Sequence, residues 1–351
     1  MQTLRDQFSE TIQLAATRRR PLRIRGSGSK DFYGGMPSGD VLDTSGYRGI
    51  VDYAPEELVI TARAGTLLHE IESVLAAQGQ MLPFEPPHFG PRATLGGCVA
   101  AGLSGPRRAG SGAVRDFVLG VRMMNGQGET LQFGGQVMKN VAGYDVSRLM
   151  AGSMGTLGLL LEVSLKILPI PKAEATLQFE LNQTQALEVM NRWAGQPWPI
   201  SASCYHDQVL TMRLSGAHSA IQATHAKLGG QLMVADAEFW RSIREQTSRF
   251  FREGAALWRL SLPSAAVLQL PGKQLIKWGG ALRWVYSEAE AVTVRAAAEQ
   301  AGGQATVFRS TVKPKIIFHP LPKALLEIHK RMKRAFDPQG VFNVGRMYPE
   351  F

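Results

Sequence analysis

Two glycine-rich clusters constrain this chain more than any other feature. The first reads Thr94-Leu95-Gly96-Gly97-Cys98-Val99-Ala100-Ala101-Gly102-Leu103-Ser104-Gly105. The second, Gly152-Ser153-Met154-Gly155-Thr156-Leu157-Gly158, runs into an apolar strand from Leu159 to Leu168. A missing Cβ lets the main chain come close to a large flat ligand and aim N–H groups at it. Taken singly, each cluster is equally consistent with tight helix packing and turns.

The chain has 351 residues, more than one hydrophobic core usually serves, so two domains are expected. A formal charge of +10 favours anionic partners: a dinucleotide, an acid substrate, an acidic subunit or an anionic membrane face. Nucleic acid is not expected. The densest basic run, Arg18-Arg19-Arg20-Pro21-Leu22-Arg23-Ile24-Arg25, has no stacking aromatic residue. The two cysteines, Cys98 and Cys204, form no Cys-x-x-Cys pair. This argues against a metal or iron–sulfur site in this chain and fits a reducing compartment. No apolar signal core opens the sequence, and Glu162 and Lys166 interrupt the apolar run from Gly155 to Pro171. A cytoplasmic protein is expected, with peripheral contact to the inner membrane as the one membrane option.

In chain order, Phe8, Ile12, Leu14 and Ala15 predict a short amphipathic helix, followed by a strand from Pro21 to Arg25. That strand runs into Gly26-Ser27-Gly28-Ser29-Lys30, a nest-like loop suited to phosphate oxygens and equally readable as a surface turn. A dinucleotide fingerprint needs a third glycine where Asp31 stands, and the spacing of a Walker A loop is absent. A hairpin is expected around Ala54-Pro55-Glu56-Glu57, then a helix with Thr66 as N-cap and Leu67, Ile71, Val74, Leu75 and Gln78 on one side. Prolines stiffen Leu82 to Pro87. A second hairpin turns at Asn125-Gly126-Gln127-Gly128, and Pro169-Ile170-Pro171 marks a boundary. Beyond it, strands alternate with helices. This predicts one antiparallel sheet with helices on one face, then a last helix from Leu321 to Phe336 and a glycine-bearing tail.

The combined order of strand, small-residue loop with lysine, Thr-Leu-Gly-Gly, Lys139-Asn140-x-x-Gly143-Tyr144-Asp145, Gly-Ser-x-Gly-Thr-Leu-Gly and an Asn-x-Gly-Arg tail resembles the vanillyl-alcohol oxidase or PCMH-type FAD-binding flavoproteins. Within them it is most similar to the flavin-binding subunits of bacterial glycolate (2-hydroxy-acid) oxidases. The resemblance covers residues 1–170 and the tail, and is weak between. It implies an α+β fold: a two-lobed PCMH-type FAD-binding domain (1–171), a smaller antiparallel-sheet α+β cap (172–336), and a tail (337–351) packing back on the FAD domain. It implies that Gly26, Ser27, Gly28, Ser29 and Lys30 hold the FAD pyrophosphate. Pro86, Thr94, Leu95, Gly96 and Gly97 would lie along the flavin and its phosphates, with Ser104, Gly105, Gly112 and Asp116 continuing that wall. Gly158 and Val163 would meet the adenine end, and Asn343 and Arg346 would bring the tail back. Departures are Ala101-Gly102 where relatives carry Thr-Asn, Met154 where they carry Glu, and Val344 where they carry Pro. Covalent members place a histidine in the small-residue loop. This chain has Ser29 and Lys30, so non-covalent FAD is expected.

No catalytic residue can be named. The seven histidines, His69, His88, His206, His218, His225, His319 and His329, include no His-x-His pair, and no metal site is expected. Arg107, Arg108 and Arg346 are the candidates for gripping a substrate carboxylate. The absence of an acid–base group implies division of labour. This chain binds FAD and passes electrons, a homologous FAD-binding catalytic subunit performs proton abstraction, and an iron–sulfur subunit accepts the electrons. A structural subunit without flavin, and a self-sufficient oxidase of another alcohol, are the other readings.

Overall fold

The computed structural model describes residues 1–135, 144–252, 254 and 256–351. The expected Lys139 to Gly143 run lies outside the described residues. The first helix, Gln2–Arg18, packs Phe8, Ile12 and Ala15 against Leu22, Leu42, Tyr47 and Phe342. It ends where Arg19 turns left-handed at φ 51°. Strands Leu22–Arg25 and Asp40–Asp43 pair in parallel. Phe342 from the tail bridges to Leu22, so the C-terminus completes this first lobe.

The second lobe is a five-stranded antiparallel sheet. Its order is Ile50–Ala54, Val59–Arg63, Leu159–Lys166, Val118–Met124 and Thr130–Gly134. The two glycine clusters meet each other, with the Gly152 and Met154 N–H groups donating to the carbonyls of Val99 and Ala100 at 2.9 and 2.8 Å, and the second runs directly into the apolar central strand. Helices Leu68–Ala77 and Leu95–Ala101 cover one face, burying Leu68, Ile71, Leu75, Leu95, Cys98 and Val99 against Val163 and Leu165. The hairpin at Asn125 forms as expected, with Asn125 Oδ1 accepting from the N–H groups of Gln127 and Glu129 at 2.9 and 3.0 Å. Thr66 is not the N-cap of its helix. The helix starts at Leu68, and the Thr66 hydroxyl is held by both backbone groups of Gly49, at 2.8 and 3.1 Å. A long-range pair of bonds has displaced a local cap.

The cap is an eight-stranded antiparallel sheet in the order Gln231–Leu232, Ala173–Glu180, Val209–Gly216, Ile200–His206, Gln274–Lys277, Leu282–Tyr286, Ala256–Ser261 and Gln304–Ser310. Helices Gln183–Ala194, His218–Leu228 and Ala291–Gln300 pack on one face. The fourth, Asp236–Glu245, departs from the expected one-sided arrangement. Its Trp240 and Ile243 lie on the opposite face with Cys204, Leu257, Trp284 and Phe308. That face also meets Tyr33, Ala101, Leu103 and Met154 of the first two lobes. The cap therefore presents an aromatic surface to the glycine-rich segments.

Helix Lys323–Phe336 and the tail are locked by one buried cation. Lys333 Nζ donates to Asp337 Oδ2 at 2.6 Å and to the carbonyls of Thr156 and Phe342, each at 2.8 Å. Asp337 in turn accepts from the N–H groups of Val341 and Phe342. A buried pair whose remaining donors and acceptors are all satisfied holds its geometry tightly. No helix among the described residues is long and apolar enough to cross a membrane.

Candidate functional site: a backbone cradle and an inter-domain cleft

Strand Leu22–Arg25 delivers the chain to the small-residue loop, and the loop closes a cavity with Thr94, Gly97, Ala100, Ala101, Met154, Asn343 and Arg346. Gly26, Ser27, Gly28, Ser29 and Lys30 all line it. Gly28 is left-handed at φ 77°. The N–H groups of Gly26, Ser27, Gly28 and Lys30 donate to no protein acceptor among the described residues. Four uncommitted N–H groups on one short stretch of backbone lining a cavity are what an anion nest requires. Opposite them stands the N-terminus of helix Leu95–Ala101, where the Thr94 hydroxyl accepts from Gly97 N–H at 3.3 Å. A Cβ on Gly26 would sit 2.5 Å from the Thr94 hydroxyl oxygen, so glycine is what keeps loop and helix end this close.

Lys30 supplies the charge. Its side chain is buried, and among the described residues its hydrogen bonds are to the His88 carbonyl at 3.3 Å and Ser29 Oγ at 3.5 Å, with the Glu245 carboxylate near enough to act on its charge. Burial pushes its ammonium below the ordinary lysine range. A buried, weakly satisfied cation beside free N–H donors fits a bound anion.

The tail holds the loop in shape. Asn343 Oδ1 accepts from Ile24 N–H at 2.8 Å, and its amide donates to the Met154 carbonyl at 2.6 Å. Arg346 donates to the carbonyls of Lys30, Asp31 and Gly35. Burial brings the Arg346 guanidinium down to about 10. Its donors are therefore committed to the loop backbone, away from any substrate carboxylate. Strain gathers in the same region, with Met154 and Asn343 at φ 54° and 45° without being glycine.

The remaining sequence-predicted residues divide into two groups. Leu95, Gly96, Gly158 and Val163 build the wall behind the cavity and do not line it. Gly96 packs on Ala64, Gly158 on Met123, and Leu95 and Val163 are sealed in the core. Pro86, Ser104, Gly105, Gly112 and Asp116 belong to the segments leading to the cap. Pro86 is buried. Ser104 Oγ accepts from Val114 N–H, and Asp116 accepts from Ala113 N–H beside the positive-φ Gly112. The Gly105 carbonyl accepts from the Trp278 indole of the cap at 2.9 Å.

Two further contacts fasten the cap here, and neither was predicted. Glu245 accepts from the N–H groups of His88 and Phe89 at 3.0 and 2.9 Å. Arg107 pairs with Glu85 and Glu174, and Arg213 pairs with the same two carboxylates. Arg107 is thereby removed from the substrate-binding candidates. His88 bonds Glu72, and His319 bonds Glu299 and the Ala305 N–H. His69, His206 and His225 each contact a backbone carbonyl. No group of three or more His, Cys, Asp or Glu side chains arranged to hold a metal occurs among the described residues.

A small-residue nest facing a capped helix end, set between a two-stranded and a five-stranded sheet and roofed by an antiparallel cap, defines a PCMH-type FAD-binding domain with its cap. Residues 3–134 match the FAD binding domain family. The chain is 50% identical over 342 residues to the glycolate oxidase subunit GlcE of Escherichia coli K12, covering 97% of this chain and 96% of that protein. It belongs to that family of glycolate oxidase subunits. The glycolate oxidase subunit GlcD of Bacillus subtilis is 31% identical over 174 residues, 49% of this chain and 37% of that one. A D-lactate dehydrogenase of Anaerostipes hadrus is 36% identical over 129 residues, 36% of this chain and 26% of that one. The similarity to these two thus spans less than half of each chain. An alkyldihydroxyacetonephosphate synthase structure shares the fold, with a TM-score of 0.66 and 14% identity over 96% of this chain and 74% of that one.

Proposed function

We propose that this chain is the FAD-carrying subunit of a multi-subunit glycolate (2-hydroxy-acid) oxidase, acting with a homologous FAD-binding catalytic subunit and passing electrons to an iron–sulfur subunit. The observation that carries this reading is the cradle, where four unsatisfied N–H groups and the buried Lys30 converge on one cavity. A dianionic pyrophosphate is the ligand class such a site suits. Gly26 to Lys30 would hold the phosphates from one side and the Thr94–Gly97 helix end from the other. Asn343 fixes the strand entering the loop through the Ile24 N–H, and Arg346 holds the carbonyls of Lys30, Asp31 and Gly35. Bound FAD supplies a two-electron acceptor that can release electrons singly.

Attachment is non-covalent, since Ser29 and Lys30 stand where a flavin-linking histidine would be needed. Proton abstraction is assigned to the partner. The described histidines nearest the cleft are engaged by Glu72, Glu299 or backbone groups, and none has a free acceptor aimed at it. The domain plan of 1–171, 172–336 and 337–351 gives the cap the role of closing the flavin end. The complex is placed in the cytoplasm or at the inner membrane face.

The test is anaerobic mixing of glycolate with the FAD-loaded chain, alone and with its homologous partner. Bleaching of the flavin absorbance only when both chains are present supports the division of labour. Full bleaching by the chain alone contradicts it.

A further inference from the structure

Glu245 stands where local rules disfavour a carboxylate. It is the last residue of helix Asp236–Glu245, before Gln246 turns left-handed at φ 56°. The C-terminal end of a helix carries partial negative charge and suits a basic side chain. Glu245 is also mostly buried, with 17% of its side chain exposed. A set of donors holds it. Oε2 accepts from the N–H groups of both His88 and Phe89, at 3.0 and 2.9 Å. Oε1 accepts from Arg244 Nε at 2.8 Å. Breaks of a local rule are expected at functional or strained sites.

The turn that Glu245 grips is strained. Glu85 and Phe89 are left-handed at φ 45° and 53° without being glycine. Such conformations persist where the surroundings over-determine them. The same turn supplies neighbours of Lys30. The His88 carbonyl accepts from Lys30 Nζ at 3.3 Å, and the Phe89 ring centroid lies 5.7 Å from that ammonium. The Arg309 guanidinium of the cap lies 5.2 Å from the same centroid, and Glu72 is tied to the His88 imidazole at 3.1 Å. Asp31, next in the chain, is paired with Arg23 and Arg25, and Arg346 holds the Lys30 carbonyl. Burial lowers the Lys30 ammonium, while the Cys98 thiol and the Glu245 carboxylate act to raise it. That thiol is pushed up to about 12 and is neutral at pH 7, so Glu245 is the anion of the two. Glu245, His88 and Phe89 do not line the cradle cavity.

We propose that Glu245 is a positioning residue of the cofactor site, a cap carboxylate that holds the His88–Phe89 turn and through it fixes where the Lys30 ammonium meets the FAD diphosphate. The inference rests on the FAD-subunit reading and adds that the cap completes the cradle. A lysine carries its charge on a flexible four-carbon stem, and the bonds that Lys30 makes are long. An outside anchor sets the ammonium in place before the ligand arrives, and that preorganisation is read as affinity. The cap helix that crosses to the FAD side of its sheet is the element that delivers the anchor.

The experiment is equilibrium titration of the full chain with FAD from pH 7 to pH 10, in the wild-type and Lys30→Met backgrounds. Glu245→Ala removes both the grip on the turn and the charge. Glu245→Gln keeps a carbonyl oxygen for the two N–H groups and removes the charge. At pH 7, Glu245→Ala should weaken FAD binding by about tenfold in the wild-type background and by less than about twofold when Lys30 is already Met. Glu245→Gln should stay closer to wild type at pH 7. Its affinity should begin to fall at lower pH than that of wild type, because the protonated Lys30 has lost a favourable charge, and the Lys30→Met background should abolish this shift. Thermal melting of the FAD-free chain shows which variants are folded, and should Glu245→Ala not fold, the shift in Glu245→Gln decides. Equal weakening by Glu245→Ala in both backgrounds, or an unshifted alkaline fall in Glu245→Gln, overturns the proposal. Wild-type FAD binding by both Glu245 variants defeats this inference alone, whereas a wild-type chain that takes up no FAD, alone or with its partner, defeats the FAD-subunit reading and this inference with it.

Discussion

The cradle and the inter-domain cleft differ in how they are made. The cradle is built from backbone, with contiguous loop N–H groups, one helix end and one lysine. The seam between cap and FAD domain is built from side chains that reach it from separate places: Arg108, Arg259, Lys277 and the Trp278 ring. A backbone site writes itself into local sequence, because glycine and small residues must stand together. A side-chain site made by sheet pairing leaves no local mark. Arg259 and Lys277 meet only because three strands pair in one register.

The comparison breaks most directly at Gly26. A Gly26→Val substitution pushes a Cβ branch into the Thr94 hydroxyl. It should reduce FAD affinity by about a hundredfold or more, as expected when close backbone approach is lost. Equilibrium titration with FAD measures this, and the melting temperature of the FAD-free chain should stay close to that of wild type, because the side chains joining the cap to the FAD domain are untouched. A matching fall in melting temperature would mean that the cradle and the cap contacts are one unit.

The cradle nevertheless depends on one side-chain anchor. Lys333→Met leaves Asp337 buried without its cation. The expected cost is about 3–5 kcal/mol, read from the denaturation midpoint. FAD release should follow in the same transition, because Asn343 and Arg346 lie on the tail that Asp337 holds.

Lys277→Met should act in the opposite sense. The folded chain releases the Lys277 proton near pH 8, while the unfolded chain keeps it to the ordinary lysine value of 10.5. Between those values the unfolded state binds more protons, so this residue's contribution to stability rises with pH. At pH 7 the buried ammonium is a cost, and its removal should raise stability by about 1–3 kcal/mol. The gain over wild type should fade as pH approaches 10.5. A variant less stable than wild type at pH 7 would show that the attraction of the Glu85 carboxylate outweighs the cost of burying the ammonium.

The smallest effect concerns the cysteines. Cys98 and Cys204 are buried, and burial pushes both thiols to about 12. Neither should react with an aromatic disulfide reagent at pH 8 until the chain unfolds. Rapid labelling of Cys98 in the folded protein would mean that the wall behind the cradle opens.

Much of the fold was legible. The glycine clusters, the Pro-rich turn and the Asn-x-Gly-Arg tail identify the FAD-domain lobes, and the alternating second half predicts the antiparallel cap. The errors share one cause. Thr66 looks like a cap locally, but Gly49, distant in sequence, claims its hydroxyl. Helix Asp236–Glu245 has the period of the other cap helices, yet tertiary packing sends it to the opposite face. Strand Gln274–Lys277 is only four residues long and follows a Pro-Gly turn, so periodicity gave no sign of it. The same blindness hid Glu245 and the Glu85 network, whose partners lie far away in the chain.

The central claim is that the backbone cradle holds FAD without a covalent bond. The most direct measurement is the visible absorbance of the purified chain loaded with FAD, repeated on the supernatant after acid precipitation. The account predicts a flavin spectrum that moves entirely into the supernatant. A flavin retained in the pellet would contradict non-covalent attachment, and a chain that stays colourless with FAD, alone and with its partner subunit, would contradict the cradle itself.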